Sequence, residues 1–390
     1  MNTFTPLQQI KVLDLTALLP GPYCTMLLAA MGAQVLKVEN PNNGDLLRVM
    51  APGVFEYLNA HKNLLSLDLK KQRGREIFLD LAADCDVLVE GFRPGVSVRL
   101  GVDFDSVAQV NSSIIYCSLS GYGHSGPYAG LPGHDINYMG VAGLLSISGD
   151  PSSGKPEFPS GPQYSDLTGS LFAANAILAA LVGRGQGGEA RFLDVSMTES
   201  TAMLMMPRYL EYLEKGRPPK QEFMARGPYG VFETKDGKFL TLGIVEDHFW
   251  ANFCQVVGRP ELAADPSLQG WDARNRQAER LKHLLEEIFK NHDREQWLEI
   301  LTAADVPVAP VHGLEEWTGD PQLLARGFFA PATDSAGLLA RMPHFPVPGL
   351  GRPASDSTRE MPLGRDTEKW LSAKGFDPRE IASLREQKVI

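Results

Sequence analysis

The sequence predicts an α/β fold, with a large domain built on a parallel, helix-covered sheet and a smaller second domain. Strand and helix signals alternate along the first part of the chain, and this alternation is the main observation. The length of 390 residues and the 43% hydrophobic content are enough for two separate cores. The composition changes after Glu214, where the segment KGRPPKQ has the character of a linker between domains.

The first strand–helix–strand unit lies at the start of the chain. Residues 10–15 (IKVLDL) and 34–39 (QVLKVE) are predicted strands, and 23–31 is a predicted helix that ends at Gly32. A helix between two strands is the connection that a parallel pair requires. The turn TALLPGP contains neither G-x-G-x-x-G nor a P-loop, so no typical dinucleotide or ATP site is predicted.

The alternation continues with a helix over 74–83, strands over 86–90 and 113–118, and a long apolar helix over 166–182. Between them, 121–164 is rich in glycine and proline and is predicted as a functional loop. Beyond the linker, 230–242 is a predicted hairpin that turns at Asp236-Gly237, and helices follow near 246–257, 275–289 and 294–302. We therefore predict a large domain over 1–215 completed by 330–390, a small domain over 220–325, and a segment over 326–390 that returns to the large domain.

Charge and composition exclude several classes of function. A formal net charge of −10 argues against nucleic acid and anionic membranes as partners, although a local basic pocket can still hold a small anion. No stretch approaches the ~20 apolar residues of a membrane span, and the N-terminus lacks the form of a secretory signal. The four cysteines have no metal-site or redox spacing, so we expect reduced thiols in a cytoplasmic protein without a metal site.

Three residues are candidates for acid–base chemistry. His134 lies in GHDINY inside the long loop, where a histidine can move a proton near neutrality or can simply belong to a polar turn. Asp166, in YSDLTGS, is placed either to cap the following helix or to act chemically at its N-terminus. Glu246, in GIVEDHFW, is either a surface cap or a functional carboxylate.

Three cations lie beside predicted strands of the large domain, where loops form ligand crevices in such sheets. They are Lys62 in NAHKNLLSLDLK, and Arg93 and Arg99 in EGFRPGVSVRLG. Phosphate binding is one role for them, and solvated surface charge is the other.

Several segments in the same order resemble the class III CoA-transferases and their relatives, which include α-methylacyl-CoA racemase. The matching segments span most of the chain: VLDLTALLPGPYCTMLLAAMGAQVLKVENP, HKNLLSLDLK, ADCDVLVEGFRPGVSVRLG, SGYGHSGPYAGLPGHDINY, YSDLTGS and PYGVFETKDGKF. The resemblance implies a doubly wound, Rossmann-like large domain, a smaller α+β domain and an interlocked homodimer. It also implies an acyl-CoA substrate and no further cofactor, with CoA entering as part of the substrate.

Two chemistries share this scaffold. In transferases, the residue matching Asp166 is a nucleophile that forms covalent intermediates. In racemases, the residues matching His134 and Asp166 exchange the α-proton of a thioester, and a glutamate matching Glu246 pairs with the histidine. The resemblance also places Lys62, Arg93 and Arg99 at CoA-binding positions, and Gly133, Asn137 and Tyr138 along the pantetheine and thioester.

The GHDINY segment and Glu246 favour a 2-methylacyl-CoA racemase, with a CoA-transferase as the alternative. A CoA-binding protein without catalysis is a third possibility, which the presence of all three chemical groups disfavours. Two features depart from the racemase pattern. The sequence around Asp166 (DLTG) is closer to that of transferases, and Asn40 stands where many relatives carry an arginine that contacts the CoA nucleotide. The acyl group is not determined by the sequence.

Overall fold

A computed structural model describes residues 4–184, 188–329, 343–351 and 360–390 of the chain. The chain forms two compact units. The first comprises Met1–Leu145, Ser160–Pro207 and Pro321–Ile390, and the second comprises Ser146–Pro159 and Arg208–Asp320. The division therefore falls at Pro207 rather than near 215, and part of the long glycine-rich stretch belongs to the second unit. The parts of the predicted return segment at 330–342 and 352–359 lie outside the described residues.

The first unit is built on a six-stranded sheet in which every neighbouring pair of strands is parallel. Its order is β3-β2-β1-β4-β5-β6, so the chain starts in the middle, moves to one edge and then crosses to the other. This order confirms the doubly wound fold, with the change of direction between β1 and β4. The strands are β1 (Lys11–Leu15), β2 (Gln34–Glu39), β3 (Asn63–Ser66), β4 (Val87–Glu90), β5 (Ile115–Ser120) and β6 (Arg191–Ser196).

Helices cover both faces of this sheet, and an apolar core lies on each face. The C-terminal helices belong to one of these cores, where Leu371, Ile381 and Leu384 are buried. The helices of this unit are α1 (Pro20–Ala30), α2 (Leu47–Met50), α3 (Pro52–Asn59), α4 (Gln72–Ala83), α5 (Val96–Leu100), α6 (Phe104–Val110), α7 (Asp135–Val141), α8 (Tyr164–Gly183), α16 (Pro321–Ala325), α17 (Thr367–Ala373) and α18 (Pro378–Glu386), together with the first part of α9 (Met197–Glu214).

By length and apolar composition alone, α8 qualifies as a membrane span, a test that core helices of water-soluble proteins also pass. Three of its residues, Ala173, Ala174 and Ile177, lie in the core between α8 and the sheet. Its apolar sequence is thus explained in part by packing on β5, β6 and α1.

The second unit contains a small antiparallel sheet of order β7-β8-β9, which confirms the α+β character of the smaller domain. Gly237, at the hairpin turn between β7 (Tyr229–Glu233) and β8 (Phe239–Gly243), has φ +73°, a conformation that glycine adopts without strain. The remaining strand is β9 (Val308–Val311), and the helices are α10 (Lys220–Phe223), α11 (Asp247–Val256), α12 (Pro260–Ala264), α13 (Trp271–Arg276), α14 (Ala278–Phe289) and α15 (Arg294–Ala303).

Candidate active site

The start of α8 carries Asp166 as the third residue of the helix. The cap at this end is Asp135 of α7, whose side chain accepts hydrogen bonds from the backbone N–H groups of Ser165 (2.7 Å) and Asp166 (3.2 Å). These two N–H groups have no partner inside the helix, so a carboxylate from another element satisfies them. The expectation that Asp166 itself caps the helix is therefore wrong. The carboxyl group of Asp166 does not cap the helix, so the chemical role remains as the alternative for this residue.

The carboxyl group of Asp166 is only partly exposed, and within the described residues it makes no hydrogen bond. Burial raises the pKa of Asp166 to about 7, and the neighbouring negative charge of Asp135 adds to this rise. A carboxyl group in this condition exists in both protonation states near neutral pH. It is suited to give or take a proton at that pH.

His134 immediately precedes α7, and its side chain is exposed. Its backbone N–H donates to Oδ1 of Asn137 (3.0 Å), which fixes the turn into the helix. His134 is the residue before Asp135, whose carboxylate accepts a hydrogen bond from the backbone N–H of Asp166. The structure thus brings the predicted pair, His134 and Asp166, to the same corner of the first unit.

Tyr138 connects this corner to the loops around it. Its hydroxyl donates to the carbonyl oxygen of Gly133 (2.6 Å), and the ring is nearly buried. A Cβ atom at Gly133 would lie 2.6 Å from the ring of Tyr138, and one at Gly121 would lie 2.4 Å from it, so both positions require glycine. Burial raises the pKa of Tyr138 to about 12; the charge of Asp166 adds to the rise and that of Arg93 opposes it. Arg93 is therefore close enough to act electrostatically on Tyr138.

The first turns of α8 are joined to the loop after β1 through Ser170. Its hydroxyl lies 2.6 Å from the carbonyl oxygens of both Pro20 and Asp166. Pro20 begins α1, directly after the loop at the carboxyl end of β1. In doubly wound sheets, ligands bind at this edge. Asp166 thus lies on the ligand-binding side of the sheet.

A cavity of about 280 Å³ lies at the carboxyl ends of β1 to β4. Its lining includes Thr16, Asn40, Lys70 and Phe92. Arg93 directly follows Phe92, and Arg99 lies in the last turn of α5; both are exposed. The cavity is thus placed beside two of the three cations predicted to bind CoA.

Glu90 fixes the turn that leads to Arg93. Its carboxylate accepts a hydrogen bond from the backbone N–H of Phe92 (2.6 Å), and burial raises the pKa of Glu90 to about 7. A buried carboxyl group at the end of β4 was not singled out in the sequence, although a glutamate ending the apolar strand VLVE was a visible signal.

Lys62, the third predicted cation, lies in the interior. Its ammonium group is 3.0 Å from Asp14, 2.7 Å from the hydroxyl of Thr25 and 3.0 Å from the carbonyl oxygen of Pro22. An ammonium group has three protons, and these partners use all of them. To contact CoA, Lys62 would have to give up one of these bonds.

A second buried lysine adjoins this group. Lys37 donates to the carbonyl oxygen of Thr16 (2.7 Å) and pairs with Asp45 (3.0 Å). Burial alone would raise the pKa of Asp14, but the charges of Lys62 and Lys37 hold it well below its usual value. Burial lowers the pKa of Lys62 to about 8, with Asp14 opposing the fall. The buried charges hold the loop after β1. Asp14 inside IKVLDL and Lys37 inside QVLKVE, each between apolar residues, were the signal for two of these charges.

Glu246 belongs to the second unit, where it immediately precedes α11 and is exposed. Its side chain does not cap the helix. The next residue, Asp247, binds the buried Arg274 (2.5 Å). The predicted pairing of Glu246 with His134 concerns residues of different units and stays a prediction. Among the described residues, no cluster of three or more His, Cys, Asp or Glu side chains is arranged to hold a metal.

Comparison with known proteins identifies the family of this chain. A protein of the CAIB/BAIF family from Brucella suis has a TM-score of 0.80 and 27% identity over 96% of this chain and 100% of its own. Acetyl-CoA:oxalate CoA-transferase of Acetobacter aceti is 34% identical, covering 88% of each chain. Human alpha-methylacyl-CoA racemase is 32% identical over 98% of this chain and 97% of its own. The model of CoA-transferase family III matches residues 7–367. This chain belongs to CoA-transferase family III.

Proposed function

We propose that this protein is a racemase or epimerase that inverts the α-carbon of a 2-methylacyl-CoA thioester. The observation that carries the proposal is the corner formed by His134 and Asp166. There, an exposed imidazole and a carboxyl group with a pKa of about 7 lie on elements joined through Asp135. Removal and return of an α-proton require two acid–base groups, and an imidazole and a carboxyl group are suited to this task.

In this mechanism, one of the two groups takes the α-proton from one face of the thioester. The other returns a proton to the opposite face, so the carbon inverts through an enolate. The enolate oxygen needs hydrogen-bond donors. The N–H groups of Ser165 and Asp166 are already bonded to Asp135, so the donors have to come from elsewhere.

We propose that the cavity at the carboxyl ends of β1 to β4 takes the nucleotide part of CoA. Arg93 and Arg99 beside it offer positive charge to the phosphates. Lys70 lines the same cavity as Asn40 and supplies a cation near the position where many relatives have an arginine. Gly133, Asn137 and Tyr138 line the path toward Asp166. In this proposal Glu246 steadies the imidazole of His134 within an interlocked homodimer, and no metal or redox cofactor takes part.

Solvent exchange tests the proposal directly. The enzyme is incubated in D₂O with (R)-2-methylbutanoyl-CoA and no free carboxylic acid, and mass spectrometry follows the α-position. We expect one deuterium per inverted molecule. A second incubation contains an added free carboxylic acid, and CoA transfer to this acid with no deuterium exchange in either incubation would overturn the proposal.

Two variants assign the groups. His134→Gln removes the imidazole and should reduce exchange by at least about 100-fold, within the range contributed by a general base. His283→Gln is the matched control, because this histidine is also exposed but lies in α14, away from all the residues placed in the mechanism. Equal exchange rates in His134→Gln and the unmodified protein would remove His134 from the mechanism.

The second candidate function is CoA transfer, which is favoured by the DLTG sequence at Asp166 and by the names of several similar proteins, most of which are CoA-transferases. A carboxylate oxygen of Asp166 would attack the thioester carbonyl and expel the CoA thiolate, which gives a mixed anhydride. The thiolate would then attack the Asp166 carbonyl and release the donor acid. The acceptor carboxylate would then attack the carbonyl of the Asp166–CoA thioester and expel the thiolate, which gives a second mixed anhydride. Finally, the thiolate would attack the acceptor's carbonyl in this anhydride, which forms the new thioester and releases the Asp166 carboxylate. Hydroxylamine trapping during turnover should modify Asp166 if this occurs and should leave a racemase unmodified.

A further inference from the structure

Three polar side chains form a continuous hydrogen-bonded chain in the first unit. Glu90, the last residue of β4, and Ser118 of β5 are partners in the register of the parallel sheet, and their side chains are hydrogen-bonded to each other. The hydroxyl of Ser118 also lies 2.6 Å from Nε2 of His124, in the loop after β5. This chain of three residues is called the Glu90 relay below. Neither the racemase nor the transferase chemistry described above uses it.

The relay runs from the interior to the surface. Glu90 is 1% exposed and Ser118 is fully buried, whereas His124 is partly exposed. The backbone N–H of His124 donates to the carboxylate of Asp194 in β6 (3.0 Å), and its ring packs edge-on against Phe192, with 5.3 Å between the ring centroids. The imidazole is therefore held in place, and it gives the buried carboxyl group of Glu90 a path to solvent.

The groups around Glu90 do not compensate its charge. Within the described residues it forms no ion pair with a lysine or an arginine, and Asp194 adds a second negative charge nearby. Tyr116 and Cys117 on β5 stay neutral, since burial raises the pKa of both. Burial raises the pKa of Glu90 to about 7, although the hydrogen bond from Ser118 opposes the rise. Glu90 therefore changes its charge near neutral pH.

The single proton of the Ser118 hydroxyl couples the two ends of the relay. When Glu90 is ionised, Ser118 donates to it and accepts from an Nε2–H of His124. When Glu90 is protonated, it donates to Ser118, which donates to an Nε2 without a proton. In the step between these states, the Glu90 proton passes to Oγ of Ser118 and the Ser118 proton passes to Nε2. The imidazolium then releases its Nδ1 proton to solvent, which leaves an ionised Glu90 and a neutral His124.

The other contact of Glu90 is with the turn that leads to Arg93. Its carboxylate accepts the backbone N–H of Phe92, which lines the cavity at the carboxyl ends of β1 to β4. A charged acceptor makes a hydrogen bond roughly twice as strong as a neutral one. The ionised form of Glu90 therefore holds this turn more firmly than the protonated form.

We propose that Glu90 is a positioning residue for CoA and that the Glu90 relay makes CoA binding pH-dependent, because ionisation of Glu90 fixes the turn that carries Phe92 and Arg93. This inference rests on the proposed function in one respect, the placement of the CoA nucleotide in that cavity. Glu90 acts through the turn and does not touch CoA.

Calorimetric titration with free CoA at about pH 6 and about pH 8 tests the effect on binding. Between these values the affinity of the unmodified protein should rise at least about threefold more than that of Glu90→Gln, which keeps a neutral acceptor for the turn at every pH. The phosphates of CoA titrate equally in both experiments and cancel in the comparison. Glu76→Gln is the matched control, because it makes the same change at an exposed carboxylate of α4 and should behave like the unmodified protein. Equal pH dependence in the unmodified protein and Glu90→Gln would overturn the inference.

A titration without CoA separates this inference from the proposed function. NMR of ¹³C-labelled glutamate carboxyl groups, with Glu90→Gln to assign the signal, should show Glu90 titrating near pH 7. Ser118→Ala should raise this pKa, because the lost hydrogen bond favours the ionised form. In the same pH range ¹⁵N spectra should show a change of tautomer at His124 that is absent in Ser118→Ala. Titration of Glu90 near its ordinary value of 4.5, or a His124 spectrum that Ser118→Ala leaves unchanged, would overturn the inference even if α-proton exchange is observed. The expected titrations and CoA binding support it even if neither racemase nor transferase activity is found.

Discussion

Replacing Asp166 by asparagine should stabilise the protein while it abolishes catalysis. The folded pKa of about 7 lies above the ordinary value of 3.8. Between these pH values the unfolded chain has released the proton and the folded protein still holds it, so stability falls as pH rises through this window. At about 1.4 kcal/mol per pKa unit, the cost of the ionised carboxylate in the folded state approaches roughly 4 kcal/mol above pH 7. Asparagine cannot ionise and avoids this cost.

The two-state linkage gives the expected size of the effect. Near pH 5 the cost in the unmodified protein is about 2 kcal/mol and near pH 8 about 4 kcal/mol, so the advantage of Asp166→Asn should grow by roughly 2–3 kcal/mol between them. Partial exposure of the carboxyl group makes this an upper figure.

Urea unfolding of both proteins near pH 5 and pH 8, followed by far-UV circular dichroism, measures this difference. Exposed Asp105 supplies the control Asp105→Asn, which reports the general effect of removing one negative charge. If Asp166→Asn is destabilised, or if its advantage is the same at both pH values, the reasoning about the buried carboxyl group is wrong.

Two further predictions follow from the same region. Asp135→Asn keeps an oxygen that can cap α8 but removes the charge that raises the pKa of Asp166. The pH at which activity rises on the acid side should therefore move downward, while the free energy of unfolding changes by less than about 1 kcal/mol; an unchanged pH–rate profile would contradict this. Lys62→Met leaves the charge of Asp14 buried without its main partner and should cost about 3–5 kcal/mol in urea unfolding. The double variant with Asp14→Asn should recover part of this loss, and full additivity of the two single changes would argue against the pairing.

The candidate site was only partly readable from the sequence. The residue types of His134 and Asp166 pointed to proton chemistry, but helix capping explained Asp166 equally well. Asp135 resolved this choice, because its carboxylate occupies the N–H groups that Asp166 was expected to cap. The pairing joins residues 31 apart in sequence, and no local pattern reveals which of two aspartates will turn toward a helix end.

Periodicity located the strong elements, since a buried parallel strand is recognisable as a short apolar run. The bounds of β2 were predicted without error, and those of α8 within two residues. Three strands were missed: the four-residue β3, the partly exposed and partly charged β6, and the proline-containing β9. β9 lies at the edge of its sheet, where proline is tolerated although it weakens the strand signal. The helix α7 was hidden within a glycine-rich stretch that was predicted as loop.

The sequence by itself determined the alternating α/β plan, the chemical groups and, through resemblance, the family. These properties depend on residue type, local periodicity and the order of segments, all of which are written along the chain. Only the tertiary structure decided that Lys62 is a buried ion-pair partner and that Asp166 is a partly buried carboxyl group beside a second aspartate. Burial and the distance to other charges set these properties, and both arise from residues far apart in the sequence that folding brings together.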